Sequence, residues 1–168
     1  MTENLVIRPA RDDELDIVAS LSVDAYAEYA VAMSPDAWSM FAQDIANVRA
    51  RMGDGLLLVA ESDGRLVGAI TLFRDWRGAQ EDAASVRLLA VPPEQRGAGI
   101  GRALMEHSIG VARADRKHRI VLTVTQEMEH VRDLTERMGF VRAPELDHEP
   151  APGVRLEGWQ LKLEPDEG

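Results

Sequence analysis

The apolar residues of this chain recur at two different spacings, and the spacing separates predicted helices from predicted strands. Continuous or alternating apolar runs predict strands over Leu5–Pro9, Leu56–Ala60, Leu66–Phe73, Val86–Val91, Arg119–Thr125, Phe140–Pro144 and Val154–Leu163. Apolar residues three or four positions apart predict four helices, which begin near residues 12, 34, 100 and 129. The predicted element order is therefore β-α-α-β-β-β-α-β-α-β-β.

Capping and turn residues mark the ends of these elements. Asp12 or Asp13 is suited to cap the first helix, and Ser34 is suited to cap the second. The pair Asp63-Gly64 predicts a hairpin turn, and Gly139 is expected to end the last helix. Loops are predicted over residues 74–84 and 144–153.

The predicted strand Val86–Val91 and the glycine-rich segment after it form a unit that indicates a ligand. Pro92-Pro93 ends the strand, because proline has no amide to donate to a ladder. The glycines of Gln95–Gly101 allow the backbone to approach a ligand closely. The first amides of the following helix, with the positive end of its dipole, would then face that ligand. A phosphate group suits this arrangement, and Arg96 could add a charged donor.

Three binding motifs compete for this segment. The dinucleotide fingerprint G-x-G-x-x-G fails, because its last glycine would fall on Arg102 or Leu104. The P-loop fails as well, since Gly101 is followed by Arg102 and Ala103 instead of Lys and Ser or Thr. The third pattern, Arg/Gln-x-x-Gly-x-Gly/Ala, is met by residues 96–101. A tight turn that binds no ligand is the remaining alternative.

The third pattern, with Leu89-Ala90-Val91 before it and Met138-Gly139-Phe140 after it, resembles the GNAT superfamily of acyl-CoA-dependent N-acetyltransferases. The resemblance covers about residues 5–163 and implies a single N-acetyltransferase domain over residues 1–168. It implies an α/β fold with a mixed, splayed central sheet flanked by helices. In this family the sheet splays between its fourth and fifth strands, and the pantetheine arm of the cofactor pairs with the fourth strand.

The same resemblance implies acetyl-CoA as the acyl donor. Backbone groups of Leu89 and Val91 would hold the pantetheine arm, and the glycine segment would hold the pyrophosphate. The implied cofactor-binding residues are Leu89, Ala90, Val91, Arg96, Gly97, Ala98, Gly99, Ile100, Gly101 and Arg102. The implied reaction moves the acetyl group to a primary amine of a small molecule or a protein, and the acceptor is not identified.

Three positions depart from the family pattern and leave the catalytic residues unknown. Thr135 stands where many members have a Tyr, four residues before the Gly-Phe pair. Ser85 stands where some members have a Glu, and Met128 where an Asn often contacts pantetheine. These departures favour, as an alternative to the enzyme, a non-catalytic acyl-CoA-binding or sensory module with the same fold.

Other polar side chains each have two interpretations. Arg87 interrupts an apolar strand, and it either holds the carboxylate of an acceptor or forms a structural ion pair. Tyr26 and Tyr29 could line the acceptor pocket or donate a proton, or they could pack in the core. His130 is a candidate acid or base near the thioester, and His148 could reach the acceptor cleft.

Composition narrows the class of protein. A net charge of −10 argues against nucleic acid as a partner and is compatible with a cationic amine. The chain has no cysteine, and none of its four histidines has metal-ligand spacing, so no metal is predicted. No apolar run approaches the roughly 20 residues that span a bilayer, and the N-terminus does not resemble a secretory signal. We therefore expect a cytoplasmic protein without a membrane partner, and a homodimer is left open.

Overall fold

The computed structural model describes residues 4–52, 55–74, 82–125, 128–151 and 154–164. Its strands are β1 (Leu5–Pro9), β2 (Leu56–Ser62), β3 (Arg65–Phe73), β4 (Ala83–Ala90), β5 (Arg119–Thr125), β6 (Val141–Arg142), β7 (His148–Ala151) and β8 (Val154–Lys162). Its α-helices are α1 (Leu15–Tyr26), α2 (Pro35–Ala46), α3 (Val48–Met52), α4 (Ile100–Ala114) and α5 (Glu129–Arg137). Short 3₁₀ turns cover Asp12–Glu14, Ala27–Ala32, Pro93–Gln95 and Pro144–Leu146. None of these described helices combines the length and the apolar character that crossing a membrane requires.

The strands form one mixed sheet in the order β1-β2-β3-β4-β5-β8-β6, with β7 paired to β8. Strands β4 and β5 are parallel, because α4 carries the chain from one to the other, and the other neighbours are antiparallel. Helices α1 and α4 both pack on β3 and β4. A side chain at Gly68 of β3 would clash with Ile100 and Leu104, so α4 lies directly on the sheet there. The predicted α/β fold with a mixed sheet flanked by helices is confirmed.

Strands β4 and β5 pair over only part of their length. In the described chain their ladder runs from the pair Ala83 and Arg119 to the pair Val86 and Leu122. Beyond that point β4 continues beside β3, and β5 continues beside β8. Leu88 has a φ of +55°, and β4 carries one residue more than β3 in this stretch, which is a β-bulge. The predicted splay between the fourth and fifth strands is therefore present, and a bulge accompanies it.

Two of the predicted helix ends are found in the structure, and two other predictions about the helices are wrong. The Ser34 hydroxyl accepts from the Ala37 amide at 3.1 Å, and Gly139 has a φ of +94° just after α5, as expected. The predicted cap at Asp12 or Asp13 is wrong, because residues 12–14 form a 3₁₀ turn and α1 begins only at Leu15. The predicted second helix is broken at Asn47, whose ψ of 62° is not helical, into α2 and α3.

Two predicted loops contain strands. Strand β4 begins at Ala83, inside the predicted loop 74–84, of which residues 75–81 lie outside the described residues. The predicted loop 144–153 contains β7, which pairs only with β8 among the described strands, so that its proline is tolerated at an edge. The predicted strand Phe140–Pro144 shrinks to β6, because Pro144 starts a 3₁₀ turn.

That 3₁₀ turn packs on β8 at Gly158. The Arg142 guanidinium donates to both oxygens of Asp147, at 2.8 and 2.9 Å, and to the Gly158 carbonyl at 2.6 Å. Asp147 also accepts from the Gly158 amide at 2.7 Å, and these donors lower its pKa to about 2. A Cβ on Gly158 would lie 2.8 Å from the Ala143 carbonyl oxygen and closer still to the Leu146 Cβ. Only glycine leaves room for this approach.

We expect Gly158→Ala to lower the free energy of unfolding by about 1–3 kcal/mol, because the turn must move away from β8. Gly110→Ala is the matched control. It lies at an exposed position of α4 with no atom within 4 Å of an added Cβ, so it should raise stability by about 0.5–1 kcal/mol. Chemical denaturation of both variants measures the two effects, and equal stability of the pair would contradict the analysis.

A second ionic cluster, around the buried Glu14, joins the start of the chain to β2. The Glu14 carboxylate, 8% exposed, accepts from the Arg8 guanidinium at 2.7 Å and from the Arg11 amide at 2.8 Å. Arg8 also contacts Glu61 at 3.0 Å. The hydrogen bond from Arg8 is the main cause that lowers the pKa of Glu14 to about 2. The carboxylate is therefore more stable in the folded chain than in the unfolded chain.

This shift predicts acid sensitivity at Glu14. The stabilisation is fully present above the ordinary pKa of 4.5 and is lost as the pH falls towards about 2. Glu14→Gln should cost about 1–3 kcal/mol near neutral pH, and the difference from wild type should shrink below pH 4.5. Urea unfolding at several pH values measures it, with Asp12→Asn, an exposed acid in the same turn, as the control. A difference that does not change with pH would be the contrary result.

Candidate active site

A cleft of about 340 Å³ opens at the ends of β4 and α1. Its walls are formed by the end of β4, the glycine segment with the start of α4, one face of α5, and the turn after α1. The lining residues are Ala25, Tyr26, Tyr29, Leu89, Val91, Arg96, Gly97, Gly99, Ile100, Gly101, Arg102, His130, Val131, Asp133, Leu134 and Arg137. The splayed strand and the glycine segment therefore share one cavity.

The glycine segment brings backbone amides to this cleft. Gly97 and Gly99 have φ values of +87° and +78°, in the left-handed region that favours glycine. Helix α4 begins at Ile100, and the first amides of a helix have no acceptor within it. Among the described residues, none accepts a hydrogen bond from the backbone amides of Gly97, Ala98 or Gly99. These amides and the helix dipole make a site suited to an anion.

Eight of the ten residues predicted to bind the cofactor line the cleft: Leu89, Val91, Arg96, Gly97, Gly99, Ile100, Gly101 and Arg102. The other two do not. Ala90 is fully buried and pairs with Ala69 of β3, and Ala98 packs against the hydrophobic core. At Gly101 a Cβ would lie 3.3 Å from the Leu134 Cδ2, so this glycine lets α5 approach the start of α4.

The carbonyls of Leu89 and Val91, which the sequence analysis assigned to the pantetheine arm, already accept hydrogen bonds from side chains. The Tyr26 hydroxyl donates to the Leu89 carbonyl at 2.5 Å, and the Arg96 Nε donates to the Val91 carbonyl at 3.1 Å. Each carbonyl oxygen has two lone pairs and can accept a second hydrogen bond. Tyr26 therefore fixes the position of the strand end without closing it to a ligand.

The Arg96 guanidinium connects three elements of the site. Besides Val91 it donates to the Ala25 carbonyl near the end of α1, at 3.2 Å, and it forms an ion pair with Glu28. Contact between this guanidinium and a phosphate stays a prediction, because Arg96 also lines the cleft. Its contacts hold the end of β4 against the end of α1.

Helix α5 supplies five lining residues, of which sequence analysis singled out only His130. The others are Val131, Asp133, Leu134 and Arg137, which lie with His130 on one helix face, because His130, Asp133 and Arg137 are three and four residues apart and Val131 and Leu134 are three apart. Helical periodicity could have identified this face, but it could not show which cavity the face borders. The Arg137 Nε also donates to the Asp133 carbonyl at 3.3 Å.

Tyr29 both packs in the core and lines the cleft. Its ring centroid lies 6.0 Å from that of Tyr26, and only 7% of the residue is exposed. Burial is the main cause that raises its pKa to about 12, and the neighbouring Glu28 carboxylate raises it further. The phenol therefore stays protonated near neutral pH.

The family is settled by a comparison with known proteins. The family model described as "Acetyltransferase (GNAT) family" matches residues 17–140. The chain belongs to the GNAT acetyltransferase family. The membership that the glycine segment and the element order predicted is confirmed.

Individual relatives agree with this assignment. The mycothiol acetyltransferase of Propionibacterium freudenreichii subsp. shermanii is 30% identical over 99% of this chain and 53% of its own length. The chain spans about half the length of the curated relatives it matches. The PaiA N-acetyltransferase from Thermoplasma acidophilum, solved with coenzyme A, has a TM-score of 0.75 at 17% identity, covering 95% of this chain and 99% of its own. The putative acetyltransferase YncA from Salmonella typhimurium, solved with acetyl-CoA, has a TM-score of 0.69 at 21% identity, covering 99% and 98%.

The positions where this GNAT chain departs from the family pattern are all buried. Thr135 has no exposed surface, its hydroxyl donates to the Val131 carbonyl at 2.6 Å, and it is not among the lining residues. Met128 lies in the core, and Ser85 pairs with Val121 inside the sheet. The structure therefore gives Thr135 a packing role within α5 and no contact with the cleft.

Two further candidates lie outside the cleft. The Arg87 Nη2 is 3.5 Å from the Asp44 Oδ2, and the two side chains are 36% and 54% exposed. The ion-pair interpretation of Arg87 is supported, although the pair lies at the surface. His148 is exposed, and its ring contacts the Leu146 carbonyl. Among the described residues, no three His, Asp or Glu side chains gather as a metal site would need.

We expect Arg96→Gln to lower the ligand-free stability of this GNAT chain by about 1–3 kcal/mol, because it removes hydrogen bonds from a charged donor to two carbonyls. Arg102→Gln is the control. Arg102 is exposed and pairs only with Glu106 on the same helix among the described residues, so its loss should cost less than about 0.5 kcal/mol. Thermal unfolding without ligand separates the two variants. If Arg96→Gln is as stable as wild type, the structural role of the guanidinium is contradicted and only a role in ligand binding is left.

Proposed function

We propose that this chain is an N-acetyltransferase that moves an acetyl group from acetyl-CoA to a primary amine of a small molecule or protein. The observation that carries the proposal is the cleft, which joins amides at the start of α4 to the end of the splayed strand β4. A ligand with phosphates at one end and an amide-containing arm at the other suits such a cleft, because both ends find hydrogen-bonding partners. Coenzyme A thioesters have this construction.

The residues present fit acetyl-CoA as the donor. We assign its pyrophosphate to the amides of Gly97–Gly101, and the cleft carries positive charge on Arg102 and Arg137. We assign its pantetheine arm to the backbone along Leu89–Val91, where β5 no longer pairs with β4. The coenzyme A and acetyl-CoA bound in the two GNAT structures support this donor. We also propose that residues 1–168 act as one N-acetyltransferase domain.

Acetyl transfer to an amine places three demands on the site. The attacking amine must be neutral, the oxyanion that develops needs a donor, and the thiolate must be able to leave. A backbone amide near Leu89–Val91 is suited to the oxyanion, because it belongs to a fixed strand and needs no reorganisation. The relative named mycothiol acetyltransferase supports acyl transfer as the reaction class.

A non-catalytic acyl-CoA-binding or sensory module is the second candidate, and the buried Thr135 favours it. Release of the coenzyme A thiol from acetyl-CoA, measured with a panel of polyamines, amino sugars, amino acids and lysine peptides, separates the two. Transfer to any of these amines supports the enzyme, whereas tight binding of acetyl-CoA without turnover supports the module. Absence of acetyl-CoA binding would contradict both.

We expect Gly99→Asp to weaken acetyl-CoA binding at least ~100-fold, because it puts a negative charge where the pyrophosphate is assigned. Aspartate is tolerated in the left-handed region and at the start of a helix, so the variant should fold. Gly110→Asp adds the same charge to an exposed position farther along α4 and should bind normally. Isothermal titration calorimetry measures both, and normal affinity in a folded Gly99→Asp protein would rule out the assigned pyrophosphate site.

A further inference from the structure

Acyl transfer from a thioester leaves negative charge on sulfur, and a hydrogen-bond donor near that sulfur speeds the step. Thr135, which stands where the family pattern has a Tyr, cannot be this donor. Its hydroxyl donates to the Val131 carbonyl at 2.6 Å, the residue is fully buried, and it does not line the cleft. The donor must therefore come from another wall.

Few neutral donors border the cleft. The Tyr26 hydroxyl already donates a hydrogen bond to the Leu89 carbonyl, and the arginines of the lining are permanently charged. Tyr29 supplies the remaining hydroxyl of the lining, and His130 supplies its imidazole ring. His130 is exposed, whereas Tyr29 is 7% exposed and packs against Tyr26, which is itself bonded to the strand end. The Tyr29 phenol is thus held at a fixed place relative to the splay.

We propose that the Tyr29 hydroxyl is the hydrogen-bond donor to the departing thiolate, supplied from the turn after α1 in place of a residue on α5. This inference rests on the proposed function. The lone pair of the amine nitrogen forms the N–C bond, the C–S bond breaks, and its electron pair stays on sulfur. The proton that nitrogen loses goes to solvent, and the Tyr29 hydroxyl keeps its own proton while it donates to sulfur.

The surroundings of Tyr29 keep it in the donor form. Burial raises its pKa to about 12, the Glu28 carboxylate raises it further through its charge and through a hydrogen bond with the phenol, Arg96 lowers it, and Glu129 raises it slightly. The Glu28 carboxylate is in turn held by Arg96, so the cationic and anionic neighbours oppose one another. A phenol in this environment is neutral throughout the pH range in which a thiol titrates. It can therefore stabilise the thiolate without becoming an anion itself.

Free coenzyme A is the probe, because its thiol reports the donor without any acceptor. Bound to wild type, its thiol pKa, read from the ultraviolet absorbance of the thiolate, should lie below that of free coenzyme A. Tyr29→Phe should raise this bound pKa by about one to two units, since a hydrogen bond to the charged form is lost. Thr135→Val removes one hydroxyl from the family position and should leave the bound pKa unchanged.

Calorimetry with coenzyme A makes the outcomes distinct. The proposal is supported if both variants bind coenzyme A and the thiol pKa rises only in Tyr29→Phe. In that case the kcat of Tyr29→Phe with an amine from the panel should fall about 10²–10³-fold, with little change in its KM for acetyl-CoA. Binding with an unchanged thiol pKa in Tyr29→Phe overturns it, and a rise in His130→Gln instead would assign the donor to His130. No binding by wild type would overturn the proposed function, and this inference with it.

Discussion

Beyond Val86, strand β4 keeps its ladder with β3 but loses β5, so its backbone groups on that side need other partners. The bulge at Leu88, with φ at +55°, accompanies this change of direction, and such a backbone persists only where surrounding contacts enforce it. The Tyr26 hydroxyl and the Arg96 guanidinium bind the carbonyls of Leu89 and Val91. The end of β4 that β5 leaves unpaired is thus held in place by two side chains, one from α1 and one from the glycine segment.

The same contacts fix the end of α1, and through it the second wall of the cleft. Arg96 holds the Ala25 carbonyl and Glu28, while the Tyr26 ring packs on Phe41 of α2 at 5.9 Å. The side of the cleft that the glycine segment forms and its aromatic side are therefore joined by one set of contacts. A ligand that enters a preformed cleft loses less free energy to ordering the protein.

Signals that are local in sequence predicted the fold and the wall of the cleft that the glycine segment forms. Ser34, Gly139 and the segment 96–101 each act through neighbouring residues, so their positions could be read directly. The bulge at Leu88 and the contact between Tyr26 and Leu89, 63 residues apart, depend on tertiary packing and have no local signal. Thr135 illustrates the same limit, because its identity suggests a lost catalytic group, whereas its burial shows that it never faces the cleft.

The net charge of the whole chain does not predict the local charge at the cleft. The chain carries −10, yet the cleft is bordered by three arginines, Arg96, Arg102 and Arg137, and by one acid, Asp133. At physiological ionic strength charges more than about 8 Å apart are largely screened from one another at the surface. A phosphate in the cleft would therefore respond to these arginines and to the start of α4, more than to acids spread over the rest of the surface. An acidic chain can in this way keep a local site for a polyanionic ligand while its overall charge disfavours a nucleic-acid backbone.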